Sequence, residues 1–160
     1  MPRGKKLAKR VIAPDPMYGS ELLQKFINTV MRRGKKSIAQ GLVYGALANV
    51  TEKKKEPPVK IFEQVIETLK PQVEVRSRRV GGANYQVPLP VPPGRQYALA
   101  FRWLIAAASG RKGASMRERL SGEMLDVLAG VGGAIKKKED VHRMAEANKA
   151  FAHFARFRRK

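Results

Sequence analysis

From Ser20 onward, apolar residues recur in adjacent pairs every four positions: Leu22-Leu23, Phe26-Ile27, Val30-Met31. This spacing predicts an amphipathic helix with Ser20 as its cap, ended by Gly34 after Arg32-Arg33. The same spacing in Ile38-Ala39, Leu42-Val43, Ala46-Leu47 and Val50 predicts a second helix across a short turn, the two packing as an antiparallel hairpin. Gly41 and Gly45 lie one helical turn apart and point to close approach by a neighbouring helix. The Lys53–Pro58 run reads as a loop, and its prolines suit the first turn of a third helix with Phe62, Val65, Ile66 and Leu69 inward, closed by Pro71.

The period then switches to two. Val73 and Val75 alternate with Glu74 and Arg76, and Tyr85, Val87, Leu89 and Val91 alternate after Gly81-Gly82, which predicts a β-hairpin. Pro88, Pro90, Pro92 and Pro93 cannot donate to a ladder, so the return strand is an edge or part of a solitary ribbon. Arg95 to Ser109 is apolar almost all round, as expected of a central, mostly buried helix, with Arg102 the interruption. Ser115 and Glu118 have capping-box spacing at the head of a fifth helix, which Gly130, Gly132 and Gly133 stop. A last helix is expected from near Lys138 past Phe154. The fold class is therefore mainly α: a six-helix single domain with a protruding β-hairpin between the third and fourth helices and basic flexible termini. The expected boundaries are a basic arm over 1–18, a helical domain over 19–154 with the hairpin at about 72–91, and a basic tail over 155–160.

The chain has 160 residues, room for one domain that buries about 70% of the surface its unfolded form exposes, so no disulfide or metal staple is required. Lys and Arg number 33 against 13 Asp and Glu, a formal net charge of +20 that no packed core needs and that points to a polyanionic partner. With 43% hydrophobic residues it is not a disordered basic tail. It has no Cys, hence neither disulfides nor a thiolate metal site, which fits a reducing compartment. The longest apolar stretch, Trp103 to Ala108, is far too short to span a bilayer. The first ten residues read as an exposed basic arm, with an organellar address as the competing reading.

Catalytic machinery is not visible. His142 and His153 are too far apart to share a metal face, and His142 with Glu146 reads as an ordinary helix-surface pair. The glycines near 130 lack the strand and spacing of a dinucleotide-binding turn, and Gly34-Lys35-Lys36-Ser37 lacks the upstream glycine of a phosphate loop. No carboxylate pair suits acid–base work, so the expectation is a non-enzyme without cofactor, metal or small-molecule substrate.

Cationic chemistry is concentrated instead. Between Pro71 and Arg117 stand eight basic residues and one acid, Glu74, and seven of the eight are Arg. Guanidinium is a planar fork that binds phosphate bidentately and stacks on bases, which favours specific RNA contact over loose attraction. The tightest cluster, Arg76 to Gln86, falls on the hairpin, where side chains project beyond the domain. Its glycines permit backbone approach to phosphate, and Tyr85 offers either a stacking face or cross-strand packing. Lys136, Lys137 and Lys138 open the last helix, where the dipole already attracts anions.

Long strings carry a further likeness: Pro14-Asp15-Pro16 with Tyr18-Gly19-Ser20, Gly34-Lys35-Lys36, Val73 to Gly82, Tyr85-Gln86-Val87-Pro88, Ala98-Leu99 with Arg102-Trp103, and Lys136 to His153. Over nearly its whole length the chain resembles the bacterial type of small-subunit ribosomal protein seven. It departs from that pattern locally at 53–58, 91–94, 109–114 and in its last six residues. The resemblance implies a structural protein of the cytoplasmic ribosome that binds the 3′ major domain of small-subunit rRNA, nucleates assembly of the subunit head, and lies at the exit tRNA site near the mRNA exit path. Its implied partners are that rRNA, exit-site tRNA, mRNA and neighbouring proteins of the head and platform, with no membrane. Carried over by position, rRNA binding falls on Arg3, Lys5, Lys6, Lys9 and Arg10 in the arm, Lys35 and Lys36 at the first turn, and Arg76 and Arg78 at the hairpin base. It extends to Arg95, Arg102, Arg111, Arg117, Arg119, Lys136, Lys137, Lys138 and Arg143. The implied surface facing exit tRNA and mRNA comprises Arg78, Arg79, Gly81, Gly82 and Tyr85. The alternative reading of the residues is an architectural DNA-binding protein with a basic β-ribbon arm.

Overall fold

The computed structural model describes residues 11–80 and 82–156. Among the described residues there are six α-helices and one hairpin: α1 (Glu21–Val30), α2 (Lys36–Lys54), α3 (Pro58–Leu69), β1 (Val73–Val80), β2 (Ala83–Pro90), α4 (Pro93–Gly110), α5 (Met116–Leu128) and α6 (Gly133–Ala147), then a 3₁₀ segment, Lys149–Arg156. The mainly helical class and the hairpin between α3 and α4 agree with the hydrophobic pattern.

Local signals account for several boundaries. Ser20 accepts the Leu23 N–H at 3.3 Å and starts α1. Ser115 and Glu118 form a reciprocal capping box at α5, and accepting these donors holds the Glu118 carboxyl below the usual range. Prolines occupy the first turns of α3 and α4, where their missing N–H costs nothing.

The paired apolar positions of α1 close onto α2, α3 and α4. Phe26, Phe62 and Phe101 are buried together, with ring centroids 5.2 Å apart for Phe26–Phe62 and 5.3 Å for Phe26–Phe101. Around them Leu47, Ile66, Leu104, Leu120 and Met124 are fully buried. A smaller cluster of Val91, Leu99 and Trp103, with Val141 against it, seats the hairpin exit and α6 on α4. Among the described residues the hairpin is a solitary antiparallel ribbon in the register Val73↔Pro90 to Val80↔Ala83, which accounts for how its prolines are tolerated.

Three elements differ from their sequence signals. α1 ends at Val30, four residues before Gly34, because Met31 leaves the helical conformation at ψ 133°, so Arg32 and Arg33 stand outside the helix. Of the two glycines in α2, only Gly45 is closely approached, and by a side chain: a Cβ there would meet Arg117 Cδ at 2.7 Å, while Gly41 faces open space. The last α-helix begins at Gly133, about a turn earlier than the apolar spacing indicates, because Glu123 accepts the Ala134 N–H at 2.8 Å and supplies a cap from another helix. It also stops sooner, at Asn148, whose Nδ2 donates to the Met144 carbonyl at 2.8 Å, and the chain continues as the 3₁₀ segment.

Phe26→Ala removes the ring shared by α1, α3 and α4 and is expected to cost about 3–5 kcal/mol in urea unfolding at unchanged m-value. A loss below about 1 kcal/mol would mean that this junction is not the core.

Candidate nucleic-acid interface

Among the described residues the cations differ in what their side chains touch, and Arg119 does two things at once: its guanidinium serves helix-end carbonyls while its side chain lines a cleft. In one group the charge is engaged within the fold. Arg111, just past α4, donates to Glu123 Oε2 at 2.9 Å and to Asp126 Oδ2 at 2.5 Å, and these two carboxylates raise its pKa, that of Asp126 most. Glu123 is 2% exposed and spans Arg111 and the Ala134 N–H, so one carboxylate joins the end of α4 to the start of α6. Arg119 Nη1 donates to the carbonyls of Ser109 and Arg111 at 3.2 and 3.1 Å, satisfying orphan acceptors at the end of α4. Lys138 Nζ does the same for Thr68 near the end of α3, at 2.6 Å. Arg76 and Arg95 both bind Glu74, and Arg143 makes an exposed ion pair with Asp140 at 3.5 Å.

In another the charge faces outward. Three clefts run into one another across α1, α2, α4 and α5. The first, about 800 Å³ between α1 and α4, has Lys25, Arg32 and Arg102 on its rim and Ile12, Tyr97, Phe101 and Ile105 among its apolar lining. It shares Arg32, Ile105 and Ser109 with a second of about 480 Å³, to which Lys35 and Arg119 contribute. The second shares Ile38, Leu42 and Met116 with a third of about 690 Å³, lined also by Asn49 and Arg117. Lys36 is exposed at the start of α2, and Ile38 beside it is an exposed aliphatic side chain. An apolar floor with a cationic rim matches the amphipathic surface of unpaired RNA, in which bases and sugars alternate with phosphates.

The structure thus brings Lys35, Arg102, Arg117 and Arg119 to one connected surface and Arg76 and Arg95 to one carboxylate. Lys136 and Lys137 stand exposed on the second turn of α6, outside these clefts, because the helix starts three residues before them. Arg3, Lys5, Lys6, Lys9, Arg10 and Gly81 lie outside the described residues, as do the last four of the basic tail. Lys25 and Arg32 line the first cleft although sequence reasoning overlooked them. In the sequence Arg32 stands out only as part of the Arg32-Arg33 pair before Gly34, and only the packing of α4 beside both residues reveals the groove.

On the hairpin, Arg78 pairs across the strands with Tyr85, and Arg79 with Asn84, so both stand nearer the tip than Arg76. Gly82 in the turn has φ +93°, a conformation that excludes most side chains. Tyr85 packs on the 3₁₀ segment: its ring lies 5.1 Å from both Phe151 and Phe154, and Arg78 Nη1 donates to the Phe154 carbonyl at 3.3 Å. These contacts fit the packing role, and Tyr85 stays half-buried, so part of its ring still faces outward. At the hairpin root His142 Nε2 accepts the Gln72 N–H at 3.3 Å; burial first, and then Lys138, lower its pKa. Among the described residues no cluster of three or more His, Cys, Asp or Glu could hold a metal ion, and no helix is long and apolar enough to cross a membrane.

Fold and charge together define a class: a helical, strongly cationic scaffold protein bearing a β-ribbon arm. The pattern of the family described as ribosomal protein S7p/S5e matches residues 2–149, and the chain belongs to that family. It is 58% identical over 154 residues to small ribosomal subunit protein uS7 of Chromohalobacter salexigens, covering 96% of this chain and 99% of that protein. The proteins of the same name from Marinobacter nauticus and Acinetobacter baylyi are 59% and 57% identical over the same coverage. The family consists of structural proteins of the small ribosomal subunit, not enzymes, and the ribosome is where such a chain resides.

Two outcomes follow for the groups just described. Arg111→Ala strands the buried Glu123 carboxylate and is expected to cost about 2–4 kcal/mol in thermal or urea unfolding, whereas Arg102→Ala changes stability by no more than about 0.5 kcal/mol. For His142 the folded-state pKa lies below the unfolded one, so its contribution to stability is complete above about pH 6.5 and is lost as pH falls below that. Wild-type stability relative to His142→Gln should therefore be level above about pH 6.5 and decline as pH falls below it. A constant difference would show that the Gln72 contact is not coupled to protonation.

Proposed function

We propose that this chain binds the 3′ major domain of small-subunit rRNA directly, nucleates assembly of the subunit head, and directs its hairpin toward exit-site tRNA and the mRNA exit path. The observation that supports this most is the connected groove across α1, α2, α4 and α5, with exposed Lys25, Arg32, Lys35, Arg102 and Arg117 along an apolar floor. Phosphates that converge at an RNA junction repel one another. A rigid surface carrying spaced cations neutralises them and lowers the cost of bringing the RNA helices together, with no bond made or broken. Arg76, Arg78, Arg79 and Arg95 extend the cationic surface along the ribbon, while Lys136, Lys137 and Arg143 add a separate patch on α6. Neighbouring proteins of the head and platform complete the set of partners.

The reading is tested by titrating the chain with a transcript of that rRNA domain at several salt concentrations. Engagement of about 6–10 phosphates predicts a fall in affinity of several orders of magnitude between about 50 and 200 mM salt. Arg102→Ala should weaken binding and reduce the magnitude of the log–log salt slope by about one. Affinity insensitive to salt, or equal affinity for a DNA duplex of the same length at equal salt, would contradict it; the second result would favour the architectural DNA-binding alternative.

A further inference from the structure

Glu74 is the one acid among the basic residues from 71 to 117, and it is buried at the root of the hairpin, 7% exposed. An acid at a surface meant for a polyanion opposes binding by its charge alone. Its geometry points the other way. Glu74 and Arg76 are two apart on β1 and so share a face of the strand. Glu74 Oε1 accepts from Arg76 Nε at 2.7 Å, and Oε2 accepts from Arg95 Nε at 3.2 Å, on the first turn of α4. The carboxylate thus gives one oxygen to a strand guanidinium and the other to a helix guanidinium. Both arginine side chains remain partly open, 54% exposed for Arg76 and 36% for Arg95. A guanidinium has five N–H donors, so each keeps donors for phosphate after the carboxylate is served.

We infer that Glu74 is a positioning residue for RNA: it presets Arg76 and Arg95 as one two-pronged phosphate clamp bridging the ribbon and the helical body. The two side chains are ordered before the RNA arrives, so the loss of their rotamer freedom does not weaken association. The bridge also fixes the root of the ribbon on α4, so the two guanidinium groups keep one separation. This inference rests on the RNA-binding reading above and assigns within it a role to an acid.

The test is Glu74→Gln in the full chain, titrated with the same rRNA transcript. The substitution raises net positive charge by one while preserving side-chain shape. Charge alone predicts tighter binding; preset arginines predict binding weaker by about 3- to 10-fold, the factor expected for newly ordering one or two long side chains. The same change in an Arg76→Ala/Arg95→Ala background should then give no loss. Glu74→Asp, which keeps the charge but withdraws the oxygens by one methylene, should lose affinity with the same dependence on background, and it serves alone if the Gln variant does not fold. Tighter binding by Glu74→Gln, or equal losses in both backgrounds, overturns the positioning role while leaving RNA binding intact. Failure of the wild-type chain to bind the transcript overturns both readings.

Discussion

The junction of Phe26, Phe62 and Phe101 sets where everything else can stand. A chain of net charge +20 repels itself when it becomes compact, so folding depends on apolar contact strong enough to hold α1, α3 and α4 together against that field. These rings supply contact from three separate segments at one point. Once they are packed, Lys25 and Arg32 on one side and Arg102 on the other are carried to opposing rims of one cleft. The groove is a consequence of helix packing, and its cations need make no contact with one another to be held in place.

The buried acids show how the excess charge is managed inside the fold. Glu123 joins Arg111 to the first turn of α6, and Glu74 joins β1 to α4. In both cases a carboxylate removed from water is satisfied by more than one donor, the condition under which a buried charge is tolerated. Arg119 and Lys138 use their charge on carbonyls near helix ends. Composition therefore overstates how many cations face outward: among the described residues part of the basic excess welds the scaffold, while other cations line the clefts, the ribbon and α6.

Local signals were mostly legible in the sequence, although the Arg32-Arg33-Gly34 stop lies past the observed end of α1. Paired apolar positions marked α1 and α2, the Ser115–Glu118 spacing marked the head of α5, and the switch to alternation at Val73 marked the ribbon. The early start of α6 was not legible, because its cap comes from Glu123 on another helix. The use of Gly45 to admit the Arg117 side chain was likewise hidden, since a glycine in a helix does not say what will lie over it. Among the site residues, basic type was readable and direction was not. Arg102 and Arg111 look alike in the chain, yet one borders an open cleft and the other sits between two carboxylates.

That division of the cations is the central claim, and arginine-selective chemical modification with and without bound rRNA, read residue by residue by mass spectrometry, tests it most directly. Arg32 and Arg102 should react freely in the protein alone and become protected by RNA, while Arg111 should react slowly in both states. If Arg32 and Arg102 were labelled equally with and without RNA, the groove would not be the binding surface.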